Sequence, residues 1–404
     1  MNVLFLTLLD FDSIQDKGIY TDLMREFVRN GNNVYIVSPT EKRNRAETRL
    51  IVSNEVSILK IKIGNIQKTS YLEKGLSMIS LEKRFISGIK KYFNNVKFDL
   101  VLYSTPPVTL LDAVNYVRKR DASRTYLLLK DIFPQNAVDL GLLKKSGLKG
   151  VIYRFFKRKE QKLYEVSDFI GCMSVGNAEY IIENNPDIDP LKVEVCPNSI
   201  EPNFQGINVE ERSLIRIKWE LPLHKTIFIY GGNLGKPQGV DFLIEIIKAN
   251  EHNQETYILV VGSGTEYIKL KKHFVEEKPQ NAKLITQLDK KEYERLVCSS
   301  DVGLVFLDKR FTIPNFPSRI LSYMNAGMPI LSATDISTDV GKVIEQGGFG
   351  YWCESGNVKD FCDLMDKLKN NSIRSKMGIN SRQYLMSNYT VSHSYREIIK
   401  HFNE

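Results

Sequence analysis

Short apolar runs of β type, each followed by a polar or glycine-rich turn and then by a helical segment, recur along the chain. Near the start, Val3–Leu9 reads as a buried strand, Ile19–Asn30 as an amphipathic helix and Val34–Val37 as a second strand. Strand, helix and strand in immediate succession predict a right-handed parallel unit. Further short strands are predicted at Leu100–Tyr103, Thr125–Leu129, Phe169–Met173 and Val193–Val195. The first half therefore favours a Rossmann-like domain.

The same alternation starts again after Pro197–Pro202, whose two prolines suit a hinge between domains. Strands are predicted at Ile227–Tyr230, Tyr257–Val261, Lys283–Ile285, Val302–Phe306 and Ile330–Ser332, with helices between them. A chain of 404 residues is long enough for two domains, each with its own core. We expect an α/β protein with two parallel sheets.

Composition narrows the class of partner and the kind of site. The formal net charge of +8 favours an anionic partner, which could be a nucleotide, a nucleic acid or an anionic lipid. The five cysteines are scattered and the five histidines form no cluster, so we expect reduced thiols and no zinc site. The start of the chain lacks the pattern of a signal peptide, and no apolar run has the length of a membrane span.

Two turns have the character of anion sites. The stretch Ile227–Ile247 reads as strand, glycine-rich turn and helix, and Pro317 precedes a second helical segment that ends at Gly327. Backbone N–H groups at helix starts attract phosphate, and Lys236 and Arg319 would add full positive charges. We predict that helix starts after Gly235 and after Pro317 converge on one anion. The alternatives are a strand-to-helix turn that binds nothing and, for Arg319, an ordinary surface ion pair.

Basic residues and apolar residues alternate at helical spacing in two segments, 72–93 and 144–164. A basic amphipathic helix can lie on an anionic membrane surface. The alternative is a helix that packs its apolar side into the core and leaves a solvated basic face. The presence of two such segments favours membrane contact.

Several motifs, in one order along the chain, resemble a known family. They are Asp16-Lys17-Gly18-Ile19-Tyr20, Asp131-Ile132-Phe133-Pro134, Pro197-Asn198-Ser199-Ile200-Glu201, Gly232-Asn233-Leu234-Gly235-Lys236-Pro237-Gln238-Gly239, and Pro317-Ser318-Arg319 through Ala326-Gly327-Met328-Pro329. Together they are similar to the retaining glycosyltransferases with two Rossmann-like domains (the GT-B type), a large family active in bacterial polysaccharide synthesis and resembling glycosyltransferase family four.

The resemblance implies an architecture and a reaction. Two Rossmann-like domains would face a central cleft: residues 1–198, completed by a C-terminal helix at 394–404, would bind the acceptor, and residues 199–393 the nucleotide sugar. The enzyme would move a sugar from a nucleoside-diphosphate sugar, UDP-linked, to a lipid-linked (polyprenyl-diphosphate) saccharide for capsule, O-antigen or exopolysaccharide. It would be cytoplasmic, attached to the inner face of the plasma membrane through the two basic segments, and would need no metal, no other cofactor and no nucleic acid.

The resemblance also implies site residues. The donor-binding set is Lys17, Gly18, Gly232, Asn233, Gly235, Gln238, Gln287, Leu288, Phe316, Ser318 and Ser322. The departing pyrophosphate would be stabilised by Lys236, Arg319 and the backbone N–H groups of Gly235 and Ser318. Asp131 would orient the acceptor hydroxyl or the donor sugar, with a helix-capping or loop carboxylate as the alternative.

Two carboxylates that the family often carries are absent, because their positions hold Pro314 and Ser322. Ser322 can still hydrogen-bond a ribose hydroxyl, more weakly than a charged acceptor. Two rival functions follow. One is a sugar-nucleotide 2-epimerase of the same architecture, against which the scarcity of histidine argues. The other is a degenerate transferase that acts as a partner subunit, which the missing carboxylates would explain.

Overall fold

The computed structural model describes residues 1–53, 55–66, 71–203 and 206–402, apart from the side chains of residues 71–76 and 79. It divides the chain into two compact units. Unit 1 comprises Met1–Glu201 and Val391–Glu404, and unit 2 comprises Pro202–Thr390. The first boundary falls at the second proline of the proline-bounded segment.

The core of unit 1 is an eight-stranded sheet. Its strands are β1 Asn2–Leu6, β2 Asn33–Glu41, β3 Arg49–Ser53, β4 Val56–Ile63, β5 Leu100–Thr105, β6 Arg124–Leu129, β7 Phe169–Cys172 and β8 Val193–Val195. Their order is β3-β4-β2-β1-β5-β6-β7-β8, and neighbours are parallel except for β3, which runs antiparallel to β4 at the edge. The central strands are continuous apolar runs because helices cover both faces of a parallel sheet. Sequence patterning missed β3 and β4, and it extended β1 too far, to Leu9.

In the described part of the first segment, residues 1–201, six α-helices accompany this sheet. They are α1 Ile19–Arg29, α2 Tyr71–Tyr92, α3 Leu111–Asp121, α4 Gln135–Asp139, α5 Gly147–Val166 and α6 Val175–Asn184. Helix α1 begins directly after Gly18 and buries Leu23, Met24 and Phe27. This places the Asp16–Gly18 loop between the end of β1 and the start of α1.

The helix in segment 72–93 has its apolar side in the core. Leu81, Phe85, Ile89 and Phe93 are at most 2% exposed, whereas Lys83 and its basic neighbours face outward. From residue 81 onward the segment is therefore a core-packed helix with a solvated basic face. The membrane prediction for this part of the segment is wrong, because its apolar residues are not available to a bilayer; the side chains of residues 72–76 and 79 lie outside the described residues.

Unit 2 contains a six-stranded sheet that is parallel throughout. Its strands are β9 Thr226–Asn233, β10 Thr256–Ser263, β11 Ala282–Ile285, β12 Val302–Phe306, β13 Ile330–Thr334 and β14 Gly350–Glu354, in the order β11-β10-β9-β12-β13-β14. Its helices are α7 Val209–Lys218, α8 Val240–Ala249, α9 Tyr267–Glu277, α10 Lys290–Ser299, α11 Ile320–Asn325, α12 Val340–Gln346, α13 Val358–Lys367 and α14 Asn371–Asn388. Strands β9 and β12 lie at the centre, so the loops that follow them meet at one edge of the sheet.

The last helix, α15 Val391–Ile399, returns to unit 1. Ile398 is fully buried in the core beside α1, and the rings of Tyr395 and Phe27 meet edge to face, 5.0 Å apart. The amphipathic pattern of Ser394–Phe402 is thus satisfied within unit 1; residues 403 and 404 lie outside the described residues. None of the helices in the described ranges is long and apolar enough to cross a bilayer.

Candidate active site

The glycine-rich turn of unit 2 is held close to the neighbouring strand. A side-chain carbon on Gly262 would lie 2.0 Å from the Gly232 carbonyl oxygen, so only glycine fits at position 262. Gly232 itself has φ +119°, a conformation that favours glycine. The backbone at Gly232 is therefore exposed at the end of β9 with no side chain to obstruct it.

The turn does not begin a helix at Gly235, and that prediction is wrong. Lys236–Gln238 forms a single 3₁₀ turn, and α8 starts only after Gly239, which has φ +54°. The Gly235 N–H donates to the Gln238 side-chain oxygen at 3.0 Å, and the Asn233 amide donates to the same oxygen at 3.2 Å. In this arrangement Gln238 stabilises the turn, and the Gly235 N–H has a protein partner where an anion was expected.

Arg319 lies beside this turn. Its guanidinium stacks on the ring of Tyr230 at 4.3 Å and donates to the Gly231 carbonyl at 3.2 Å. A side-chain carbon on Gly232 would lie 3.9 Å from its terminal nitrogen. No carboxylate of the described residues is within ion-pair distance of Arg319, so the surface ion pair does not form. The exposed ammonium group of Lys236 likewise has no ion-pair partner in the described part of the chain.

Tyrosines that sequence patterning did not select surround Arg319. The Tyr323 hydroxyl donates to the Ile229 carbonyl at 3.1 Å and accepts from the Gly231 N–H at 3.2 Å. The Tyr293 hydroxyl lies against Gly231, with the Tyr323 and Ser322 side chains nearby. Burial raises the pKa of Tyr293, which keeps its hydroxyl neutral. These phenols fix β9 and α11 together and hold Ser322 next to the glycine-rich turn.

Asp335 stabilises the loop that precedes α11 through hydrogen bonds. The Asp335 carboxylate accepts from the Ser337 and Thr338 N–H groups at 2.9 Å and from the Thr338 hydroxyl at 2.9 Å. That hydroxyl in turn accepts from the Asn315 N–H at 3.0 Å. The Phe316 ring is buried and packs against Tyr389, so its side chain holds the loop in place.

Helix α11, only six residues long, starts two residues after Ser318. The Pro317 carbonyl accepts from the Ile320 N–H and the Ser318 carbonyl from the Leu321 N–H, which extends the helical turn back to Pro317. Pro314 is buried in the same loop. The expected helix start near Ser318 is thus present, as a short one.

Gln287 lies at the sheet edge beyond β11. Its side-chain oxygen accepts from the Ser263 hydroxyl at 2.8 Å, and Leu288 next to it is half-buried. Ser263 ends β10, the neighbour of β9 in the sheet. Gln287 therefore lies at the same edge of the sheet as Gly232, with β10 between their two strands.

In unit 1, the glycine loop is anchored from within α1. The Gly18 N–H donates to the Asp22 carboxylate at 2.9 Å, and the Thr21 hydroxyl donates to the Asp16 carbonyl at 2.6 Å. The other Asp22 oxygen accepts from the Glu201 N–H at 3.0 Å. Lys17 is exposed at the tip of this loop.

Asp131 follows β6 and does not cap a helix, because α4 begins only at Gln135, with Pro134 at its cap. Its carboxylate has no hydrogen bond or ion pair with the described residues. Burial raises the pKa of Asp131 to about 6. The Tyr20 phenol lies near enough to interact electrostatically with this carboxylate, and burial raises the pKa of Tyr20 to about 12. A neutral phenol and a carboxyl group with no hydrogen-bond or ion-pair partner in the described residues thus lie near each other in unit 1.

The side chain of Lys130, adjacent in sequence, points elsewhere. Its ammonium donates to the Cys196 carbonyl at 2.9 Å, and burial lowers the pKa of Lys130 to about 8. Among the described residues, no three histidine, cysteine or acidic side chains cluster as a metal site.

The sheet orders and the glycine-rich turn define a class of protein: two Rossmann-like units of the GT-B fold. Solved structures share this fold over the full chain. The lipopolysaccharide-biosynthesis glycosyltransferase WaaG matches with a TM-score of 0.68 at 13% identity, covering 100% of both chains. Anabaena Alr3699/HepE in complex with UDP-glucose matches with a TM-score of 0.71 at 12% identity, covering 100% of this chain and 99% of that one.

Residues 211–384, most of unit 2, match the family model of the glycosyl transferases group 1. The probable glycosyltransferase WbjE of Pseudomonas aeruginosa is 25% identical over 346 residues, 85% of this chain and 84% of its own. Unit 2 therefore contains a glycosyl transferases group 1 domain, and the chain is a transferase that is similar to WbjE over most of its length. The family and fold predicted from the motifs are confirmed. The similarity to named glycosyltransferases supports the transferase prediction over the epimerase alternative.

Proposed function

We propose that this enzyme moves a hexosyl group from a nucleoside-diphosphate sugar to a saccharide carried on a polyprenyl diphosphate, with retention of configuration. Unit 2 binds the donor and unit 1 the acceptor. The observation that carries the proposal is Arg319: a guanidinium with no carboxylate partner in the described residues, stacked on Tyr230 beside the open Gly232 backbone. A cation kept in this state suits a ligand with closely spaced anionic oxygens.

The donor pyrophosphate is the leaving group of this reaction. The bond between the anomeric carbon and the phosphate oxygen breaks, and negative charge grows on that oxygen. Arg319 and Lys236 stabilise this charge, with the Ser318 N–H as a backbone donor. The Gly235 N–H contributes once the Gln238 side chain turns away from it.

The acceptor hydroxyl forms the new bond to the anomeric carbon and loses a proton. In a front-face reaction the departing phosphate oxygen accepts that proton, so no protein base is needed. Asp131, with its unpaired carboxylate, accepts a hydrogen bond from the acceptor hydroxyl and orients it. We propose that no divalent metal takes part, because the two cations supply the charge; chelation by EDTA should leave the rate unchanged.

The remaining predicted residues bind the rest of the donor. Gln287 and Leu288 contact the base, Ser322 a ribose hydroxyl, and Asn233 the turn that holds the phosphates. Lys17 and Gly18, in the glycine loop of unit 1, remain predicted donor-binding residues. A UDP-linked sugar is favoured by the fold shared with HepE, whose structure holds UDP-glucose. A polysaccharide product, such as capsule, O-antigen or exopolysaccharide, is favoured by the similarity to WaaG, which is involved in lipopolysaccharide biosynthesis. We propose that the product is made at the cytoplasmic face of the membrane.

The test is a screen of UDP-, GDP- and ADP-sugars with polyprenyl-diphosphate saccharides, in which release of nucleoside diphosphate and the anomeric configuration of the product are measured. We expect release with a UDP-sugar that depends on the acceptor, and a product with the donor's configuration. An inverted product would refute the retaining mechanism. Binding of UDP-sugars without transfer to any acceptor would favour the partner-subunit alternative.

A further inference from the structure

A basic groove lies at the edge of the unit 2 sheet where its strands begin, opposite the glycine-rich turn. It has a volume of about 600 Å³ and is lined by the loop 222–226 and by Gln254, Glu255, Lys369 and Arg374. Thr226 begins β9, and Gly232 lies six residues further along the same strand. At about 3.3 Å per residue, roughly 20 Å separates the two ends. The basic groove is therefore not part of the candidate active site.

Arg216 holds the loop 222–226 from its inner side. It is 4% exposed, and its guanidinium donates to the carbonyls of Pro222, Leu223 and Lys225 at 3.3, 3.2 and 3.2 Å. In a planar trans peptide the N–H points away from the C=O of the same unit. The N–H groups of Leu223 and His224, which share peptide units with two of these carbonyls, therefore point away from Arg216.

These two N–H groups have no acceptor in the described part of the chain. Both residues are exposed and line the basic groove. The Thr226 N–H, by contrast, donates to the Glu255 carbonyl at 2.8 Å and continues the sheet. Neighbouring backbone N–H groups that point outward form a concave donor site of the kind that binds anions.

Three arginines behind the loop share one carboxylate. Asp301 pairs with Arg212 and with Arg216, the latter at 2.7 Å, and the Arg374 Nε atom lies 3.9 Å from it. Burial lowers the pKa of both Arg216 and Arg374, and the charge of Arg212 lowers both further. The charged forms of these arginines are thus held in an unfavourable environment, which an additional anion would improve.

The groove itself adds further positive charge. The Lys225 ammonium donates to the Asn281 side-chain oxygen and has no ion-pair partner in the described residues. Lys369 pairs with Glu255 at 2.6 Å and with Asp366 at 3.2 Å. Five cations then face three carboxylates, an excess of two positive charges; the cations are Arg212, Arg216, Lys225, Lys369 and Arg374, and the carboxylates are Glu255, Asp301 and Asp366.

We propose that the basic groove binds the phosphate group of a soluble small molecule, at a site separate from the one for the sugar donor. The Leu223 and His224 N–H groups and the Lys225 ammonium donate to the phosphate oxygens, and Arg374 adds its charge. A phosphate monoester carries close to two negative charges at pH 7, which match the excess, and offers three acceptor oxygens. The groove is larger than a phosphate group, so it has room for the organic part of the molecule. This binding does not depend on the proposed reaction.

The test titrates the full chain with inorganic phosphate and with ribose 5-phosphate at constant ionic strength, set with sodium chloride. NMR follows the imidazole signals of the histidines, and the variant H224Q assigns the signal of His224. We expect a saturable shift of the His224 signal with both phosphates and none with ribose, which lacks the charged group.

Two charge variants should change this affinity in opposite directions. K225Q should raise the Kd for phosphate about tenfold, because a charge-assisted hydrogen bond is lost. E255Q should lower the Kd a few-fold, because it removes the one carboxylate among the described residues that line the groove. A gain in affinity cannot result from a variant that fails to fold. The matched controls K342Q and E354Q remove the same charges from exposed positions elsewhere in unit 2 and should leave the Kd within about twofold.

The variant R319A separates the groove from the donor site. Its His224 signal should titrate as in the wild type, because Arg319 lies at the other end of β9. Thermal unfolding verifies that all variants are folded, and the measurement needs no turnover, so its result is independent of whether the proposed transfer takes place.

Three results would overturn the proposal. The first is a His224 signal that does not shift with either phosphate, or that shifts equally with added sodium chloride. The second is a K225Q variant that binds phosphate with the wild-type Kd. The third is loss of the His224 shift in R319A, since phosphate would then bind at the donor site alone.

Discussion

Two charged side chains, one in each unit, lack the partners that such groups normally have. Arg319 has an aromatic ring and a carbonyl beside it and no carboxylate of the described residues. Asp131 is a carboxyl group whose pKa burial raises to about 6. Keeping a charged group in this state costs stability, and functional sites are where proteins accept that cost.

Replacement of Arg319 tests the leaving-group role. We expect R319A to lower kcat/KM for the nucleotide sugar about 10²- to 10³-fold, because charge stabilisation in the transition state is lost. R319K should recover part of the loss, since the ammonium keeps the charge without the planar fork. The control is R295A, which removes an exposed arginine paired with Glu211. An R319A rate close to that of R295A would contradict the assignment.

Replacement of Asp131 separates its function from its effect on stability. The raised pKa means that ionising Asp131 at pH 7 opposes folding, and this penalty disappears as the pH falls below the unfolded-state pKa near 4. D131N should therefore raise the free energy of unfolding by about 2 kcal/mol at pH 7 and change it little at pH 4.

The activity of D131N should change in the opposite direction. The wild-type rate should fall as the pH drops through about 6, where the carboxylate becomes protonated, and D131N should be slow at every pH without that limb. Denaturant unfolding and pH–rate profiles measure the two effects. A D131N enzyme with the wild-type rate would show that Asp131 is a loop carboxylate with no role in orienting the acceptor.

At the scale of elements, the loops after β9 and before α11 are positioned by groups from neighbouring strands. Tyr323 ties α11 to β9, and Asp335 beyond β13 holds Asn315 through Thr338. The Tyr323–Ile229 and Thr338–Asn315 contacts join segments that are far apart in sequence. The site is therefore built on the sheet rather than on the loops themselves.

Removal of the Asp335 carboxylate should loosen the loop that presents Arg319. D335A leaves the buried Thr338 N–H and hydroxyl and the partly buried Ser337 N–H without their acceptor, so we expect a loss of about 1–3 kcal/mol of stability. KM for the nucleotide sugar should rise, because the loop no longer holds one position. The control is D363A, at an exposed carboxylate of α13. If D335A lost stability with an unchanged KM, the role of Asp335 would be structural alone.

At the scale of the whole molecule, α15 completes unit 1 although it follows all of unit 2 in the chain. Ile398 is fully buried beside α1, and the Ser394 hydroxyl bonds Ser199 at 2.8 Å, close to the end of the first segment. Unit 1 can therefore reach its full stability only after the last helix is in place.

A substitution at Ile398 should affect one unit selectively. I398A should cost about 2–4 kcal/mol through the cavity it leaves. Hydrogen exchange should lose protection in α1, β1 and β2 and keep it in unit 2. I379A, at a residue of α14 that is 61% exposed, should change neither unit by a comparable amount. Equal loss of protection in both units would mean that they unfold together.

Hydrophobic periodicity determined most of the architecture, because a buried parallel strand must be a continuous apolar run wherever it lies. β12 agrees with its predicted range, Val302–Phe306, to the residue. Strands β3 and β4 were not predicted, because polar and charged residues interrupt their apolar runs, although β4 is mostly buried; β14 was not predicted either. The glycine-rich turn was also predicted, because its glycines suit the backbone conformation that the turn requires. The start of the following helix was not predicted, because it depends on the contacts of the Gln238 side chain.

Sequence by itself thus determined the two α/β units, the turn that approaches a ligand and the family that these motifs resemble. Only the tertiary structure decided which charges lack partners and which apolar faces remain uncovered. Segments 72–93 and 144–164 have similar patterns, yet one packs its described apolar residues into the core and the other exposes Leu148 and Phe155. The reason is physical: a helical pattern creates an apolar face, while its burial and the pairing of each charge depend on residues brought together from distant parts of the chain.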